Sequence, residues 1–487
     1  MIIRRVAGNA AWNVSGAACS LIAGAVALPI IMRTIGSAGL GVFTLAVGLV
    51  GFSGALDLGF SRALTQKVAH DVGEGKPSEA VAYTVWRLIW IMAGLGAAFA
   101  ALLVMILPWF VRGPLGLQGA FARDAIFGLQ VVACSLPAAL AGMAAVGALE
   151  GLQEFRRISM QRALLGVLQF AIPVAIAYAT RDVGYVVAGL ALSRPIALLV
   201  WLRTLNTSLP YRTRIRGEDH HLSGVTKFAG WLSVSNVVGA LVVYGDRFYL
   251  ASVFPPSQII HYTAPFDAIH RATSLPATVL GAVFPALAGL KIDAAGSQQI
   301  VRATCAFLIA SMVPVLGIVS LGSWQLLNLW LGSTFADDAQ HVVRWLVVGV
   351  FLNSMAYLPF SLLQSRGRTD LTAALHGLEV PVFLVILVAC VTLFGVAGAA
   401  MAWAARSAID MLCMHLISMF VCREIRQEIS RSLALSFAGG LVLLGPAVFS
   451  SRVAFALVGL IGIFVVAATG LDLLEHLKRD AKRGELQ

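Results

Sequence analysis

The sequence predicts an all-α polytopic membrane protein of about 14 transmembrane helices. Three observations carry that expectation. The 487 residues are 59% hydrophobic and only 12% charged, where a soluble domain carries about 25% charged residues. Mean hydropathy is +0.86. Apolar runs of about 20 residues, each enough to cross ~30 Å of hydrocarbon, recur from end to end, and the alternating ~10-residue segments of a β-barrel do not occur.

Taken in chain order, six spans are expected over residues 10–33, 38–60, 82–111, 124–149, 158–180 and 183–203. The chain opens on "MIIRRVAGNAAWNVSGAAC", a basic start followed by an apolar run. That run is longer than a leader's core and passes through Arg33 into a second span, so it reads as an uncleaved first helix rather than a signal ending at Cys19. A basic linker follows, "RTLNTSLPYRTRIRGEDHHLSGVTKF". Six more spans are expected over 228–253, 258–290, 300–331, 341–363, 371–393 and 395–421, then two over 432–449 and 452–473 before the tail "EHLKRDAKRGELQ". The six cysteines, Cys19, Cys134, Cys305, Cys390, Cys413 and Cys422, are scattered and show no metal-ligand spacing, so neither disulfides nor a metal is expected.

Loop charges set the expected orientation. With the N-terminus in the cytoplasm, most of the 35 Lys and Arg fall at cytoplasmic ends, among them Arg4, Arg5, Lys67, Lys76, Arg156, Arg157, Arg366, Arg368, Arg423 and Arg426. Both termini are then cytoplasmic. The net charge of +11 is explained by topology and attraction to anionic headgroups, without nucleic acid.

The two six-span blocks look related. Trp12, Ser37, Gln153, Arg157, Gly184 and Arg194 recur in the same order as Trp231, Ser257, Gln364, Arg368, Gly395 and Arg406. An even number of spans makes both blocks enter the membrane in the same sense, which is a parallel repeat with a site expected between lobes. The expected organisation is a six-helix lobe over 1–205, a basic cytoplasmic linker over 206–227, a second six-helix lobe over 228–423, and two extra helices with a basic tail over 424–487.

A charge at mid-bilayer costs at least ~2.5–3.5 kcal/mol, so it faces protein or a wet cavity. On the eighth span Asp267, His270 and Arg271 are spaced i, i+3, i+4, with Ser274 one turn on and Pro265 and Pro276 bracketing them. From Ile259, Asp267 lies about 12 Å and Arg271 about 18 Å deep. Either an Asp–Arg pair glues helices there, or the stripe lines a hydrated substrate cavity. The seventh span adds Asp246 and Arg247, the arginine placed to snorkel outward. The second span carries Asp57 and, near its inner end, Arg62. Arg194 and Arg406 occupy matching places in the two blocks and Asp410 is i+4 from Arg406; with Glu379 and the neighbouring His376 they read as intralobe structure. A lining rich in arginine suits a diphosphate, since guanidinium offers planar, permanently charged donor forks to phosphate oxygens. Asp267 and His270 are placed to orient Arg271 or to carry a proton.

Several stretches resemble the polysaccharide-transport branch of the multidrug/oligosaccharidyl-lipid/polysaccharide superfamily, the O-antigen and exopolysaccharide repeat-unit flippases. They are "PIIMRTIGSAGLGVFTLAVGLVGFSGALDLGFSRALTQKVA", "GALEGLQEFRR", "VVYGDRFYLASVFPPSQIIHYTAPF", "VFPALAGL", "LPFSLLQSRGRTDLTAAL" and "LFGVAGAAMAWAARSAIDM", in the family's order over most of 9–415. The resemblance implies a two-lobed, V-shaped transporter moving an undecaprenyl-diphosphate-linked oligosaccharide across a bacterial inner membrane by alternating access. It implies a cavity lined by the first, second, seventh and eighth spans, which supports Asp57, Arg62, Asp246, Arg247, Asp267, His270 and Arg271. No cofactor is expected; coupling to H+ or Na+ stays open. Beyond the lipid-linked substrate and membrane lipids, the expected partners are a polysaccharide polymerase and chain-length machinery. A cation-coupled multidrug antiporter would carry an acid in the first span, and 10–32 holds none. A lipid II flippase shares the fold and a diphosphate ligand. A membrane glycosyltransferase would need paired carboxylates and a sizeable external loop, and neither is visible, so no enzyme is expected.

Overall fold

The computed structural model describes residues 2–57, 60–209, 245–289 and 294–448, and every described element is helical. Most of the linker, the start of the seventh span and the last span expected over 452–473 lie outside the described residues. In chain order the helices are α1 Ile2–Leu56, α2 Phe60–Gly73, α3 Ser78–Arg112, α4 Gly119–Cys134, α5 Leu136–Gly151, α6 Phe155–Thr180 and α7 Val183–Ser208. They continue as α8 over 245–253, then α9 Pro256–His270, α10 Ser274–Gly289, α11 Ala294–Leu321, α12 Ser323–Leu331, α13 Ser333–Ser365, α14 Thr369–Phe394, α15 Val396–Val421 and α16 Arg426–Val448. Ten helical stretches among the described residues are long and apolar enough to cross a membrane, and the protein is a multi-pass membrane protein.

The breaks between helices follow local chemistry. α1 holds the first two expected spans, which meet at Gly36 with φ 75° and ψ 175°, a conformation open to glycine and costly for other residues. α4 and α5 split at Ser135, just before Pro137, within one expected span. The eighth span tightens into a 3-10 turn over Arg271–Thr273. Pro276 lacks an N–H and crowds the carbonyl four residues back, at Ala272, so the α-helical ladder cannot run through that point. The Thr273 hydroxyl caps the end of α9 by donating to the His270 carbonyl at 2.7 Å.

Contacts divide the chain into two units, Met1–Thr263 and Ala264–Gln487. In the first unit α1 packs on α6 and α7, α3 on α4 and α5, and α7 on α4, α5 and α6. In the second, α13 is the central strut, touching α10, α11, α12, α15 and α16. Its apolar window is 83% buried, against 22% for the peripheral α14. A helix apolar on every face suits both positions, one surrounded by protein and one presenting leucines to lipid. α16 is an integral part of this unit. Arg302 pairs with Glu428 near one end of it at 2.5 Å, and Arg344 donates to the Pro446 carbonyl at the other at 3.2 Å.

Candidate functional site

In the first unit, α8 and the start of α9 dock on α1. Gly41 makes the approach possible, since a Cβ there would lie 2.0 Å from the Pro256 carbonyl oxygen. One helical face further along, the stem of Arg247 lies against Gly48, where a Cβ would be 3.2 Å from its Cδ. Thr263 donates to Thr44 across the same seam at 2.9 Å. Asp246 is fully buried and Arg247 is 1% exposed, so the arginine does not snorkel outward. Asp246 accepts the Arg247 backbone N–H at 2.7 Å and the Tyr262 hydroxyl. Two adjacent residues that point apart on one helix are thus both consumed by packing.

Asp57 follows the last residue of α1 and is 4% exposed. Its carboxylate accepts the Ser61 hydroxyl at 2.5 Å and the Ser61 backbone N–H at 3.2 Å, satisfying donors in the first turn of α2. Arg62 falls in α2, and its side chain lies outside the described residues.

The eighth-span stripe behaves differently. Asp267 and His270 are half-buried and Arg271 is exposed. His270 stacks on Phe266 at 5.0 Å and meets the edge of Trp403 at 5.6 Å. Arg271 opens the 3-10 turn and has neither an ion pair nor a side-chain hydrogen bond among the described residues. A permanently charged group at a mid-span break must find water or an anion, because hydrocarbon would not tolerate it.

The two repeat arginines each reach the preceding span. Arg194 donates to Gln169 at 3.3 Å, and Arg406 to Glu379 at 3.4 Å. His376 lies 3.9 Å from Asp410 in the same cluster as Arg406 and Glu379. Two sets of side chains bring donor atoms within 4.8 Å of one another, His376/Glu379/Asp410 and His70/Asp71/Glu74. Cationic side chains already serve both. Lys67 and Lys76 bond Asp71 at 2.8 and 2.7 Å. Burial alone would raise the Asp71 carboxyl, but the hydrogen bonds and charges of these lysines outweigh it and hold it below the usual carboxylate range.

Sequence reasoning had the ionisable residues within the spans but few of their partners, and it passed over His70, Asp71 and Glu74. Tyr262, Thr44, Gly41 and Trp403 carried no distinguishing signal in an apolar background. The Arg406–Glu379 link was the more legible, with His376/Glu379 at i, i+3 and Arg406/Asp410 at i, i+4 on consecutive spans.

Residues 6–291, more than half of the chain, match the family described as "Polysaccharide biosynthesis protein". The chain belongs to that family. Over 420 residues this polysaccharide biosynthesis protein is 26% identical to a Shigella flexneri protein named "Putative O-antigen transporter", covering 85% of this chain and 98% of that one. It is similar in fold to an inward-facing MATE family transporter of the MOP superfamily, with TM-score 0.66, 15% identity and coverage of 85% and 95%. It is also similar to the lipid II flippase MurJ in an inward closed conformation, with TM-score 0.66, 14% identity and coverage of 94% and 97%. The expected MOP-type helical fold is therefore the observed one.

Proposed function

We propose that this polysaccharide biosynthesis protein is a flippase. It moves an undecaprenyl-diphosphate-linked oligosaccharide from the cytoplasmic to the periplasmic face of the inner membrane, by alternating access between six-helix lobes over 1–205 and 228–423. Family membership and the likeness to an O-antigen transporter support the substrate class and a transporter rather than an enzyme. The observation that carries the mechanism is Arg271, exposed at a helix break deep in an apolar span. Its guanidinium fork is the anchor for the diphosphate, with Asp267 and His270 half-buried on the turn before it. Asp246, Arg247 and Asp57 are consumed by packing here and meet substrate only when that packing opens. Loop charges support cytoplasmic termini, and the product's fate makes a polymerase with its chain-length machinery the natural partner.

The test is deletion in the source bacterium, complemented by variants, with lipid-linked intermediates assayed on each membrane face. Arg271→Ala should abolish flipping at normal protein abundance and Arg271→Lys should retain part of it, because a lysine keeps charge but loses the bidentate fork. Wild-type flipping by Arg271→Ala would reject the anchor. Absence of an inward-facing build-up in the deletion strain would reject the flippase itself.

A further inference from the structure

α14 and α15 form an antiparallel pair about Gly395, whose φ of 60° makes the turn tight. Glu379 and Asp410 are therefore almost equidistant from that turn and lie at one depth. Glu379 is 4%, Asp410 5% and Arg406 7% exposed. Arg406 holds Glu379 at 3.4 Å, and its guanidinium carbon sits 5.6 Å from the Trp403 ring centre. His376 stacks on Phe360 at 5.9 Å and approaches Asp410 at 3.9 Å. The other titratable groups facing the cluster are Tyr357 from α13, Cys413 and His415 on α15, and His270, which meets Trp403 in an edge contact.

Two carboxyls face one guanidinium. With His376 neutral the cluster keeps a single negative charge, inside a unit that offers it no further cation among the described residues. Two like charges whose oxygens lie within 4.8 Å also resist being ionised together. The corresponding place in the first unit has no such excess, since Arg194 meets the neutral Gln169. We propose that the Glu379–Asp410 carboxyl pair, fenced by Arg406 and His376, binds one proton, and that its occupancy is transmitted to the helix break that carries Arg271. The His376 side chain is 38% exposed and is the part of the cluster that reaches the surface, so the proton arrives there. An O–H bond forms on one carboxylate, its charge disappears, and nothing else is made or broken. A divalent ion would overshoot neutrality beside Arg406, which already occupies a Glu379 oxygen.

Two short paths join the pair to the break. Arg406 covers Trp403, whose edge meets both Phe266 and His270 at the end of α9. Tyr357 lies within electrostatic reach of Asp410 and beside Thr273, the residue that caps the turn at the His270 carbonyl. Losing one carboxylate loosens the hold on Arg406 and changes the field at the Tyr357 hydroxyl, and both changes arrive at Arg271–Thr273. The proton site stands without the proposed function; only its link to Arg271 as anchor rests on that reading.

The experiment is infrared spectroscopy of the full chain in lipid nanodiscs, titrated across neutral pH, with hydrogen–deuterium exchange of the peptide holding 268–276 at the same pH values. A carboxylic-acid C=O band should titrate in the wild type and vanish in both Glu379→Gln and Asp410→Asn. Exchange at 268–276, corrected for intrinsic rates, should depend on pH in the wild type and not in Asp410→Asn. Should either variant fail to fold, His376→Gln keeps both carboxyls and should move the midpoint about tenfold in proton concentration. A band untouched by all three changes overturns the site, as does quenching of the band by zinc or sodium alone at fixed pH, which would make it a metal site. A titrating band with pH-independent exchange overturns the transmission. Loss of flipping in cells bears only on the proposed function.

Discussion

Replacing Gly41 with alanine should destabilise the seam between α1 and the start of α9, by an amount the geometry fixes. The new Cβ would sit 2.0 Å from the Pro256 carbonyl oxygen, 2.5 Å from its carbon and 2.8 Å from the proline Cβ. Ordinary contact is about 3.5 Å, so two backbones must part by more than 1 Å. Overpacking of that kind costs about 1–3 kcal/mol. Alanine also gains about 0.5–1 kcal/mol over glycine inside any helix, which would mask part of the loss. Gly54→Ala supplies the control: it lies in the same helix with no atom within 4 Å of its Cβ, and takes the gain without the clash. The difference between the two variants is then the seam alone. At about 2.1 cal/mol/K per residue, the 263 residues of the first unit unfold with roughly 0.55 kcal/mol/K, so the gap corresponds to about 2–5 °C. Thermal unfolding of both variants in one detergent measures it. If they melt within about 1 °C of each other, the close approach of Gly41 and Pro256 is wrong.

Tyr262→Phe removes the hydroxyl that Asp246 accepts in a fully buried site, and should cost about 1–3 kcal/mol by the same assay; an unchanged melting temperature would remove Asp246 from the fastening role. Gln169→Glu should copy the Arg406–Glu379 arrangement onto Arg194 and stabilise by about 1 kcal/mol, since charge-assisted bonds exceed neutral ones; a fall in melting temperature would show that the carboxylate is desolvated without being paired. Asp71 is held below its unfolded value of about 3.9, so the order it confers is complete above that pH and fades as pH falls through the depressed value. Amide exchange over 67–76, corrected for intrinsic rates, should therefore rise on going from about pH 6 to about pH 3, and Asp71→Asn should remove that rise; equal responses would show that the lysine bridges hold nothing in place.

The sequence by itself determined that this chain lies in a membrane, where most spans begin and end, and which residues would be trouble there. Partition into lipid is a property of about 20 consecutive residues, and it is readable wherever they are written in order. Gly36, Gly395 and the prolines around Arg271 punctuate the chain for equally local reasons. The recurrence of Arg194 as Arg406 was visible too, because arginine stands out against an apolar background. The tertiary structure alone decided the partners: that Asp57 caps α2, that Asp246 is claimed by Tyr262, that His270 turns to Trp403 while its neighbour Arg271 stays exposed. Those outcomes depend on the depth and rotation of one helix against another. Spans that are apolar on every face carry no polar–apolar contrast from which either could be read.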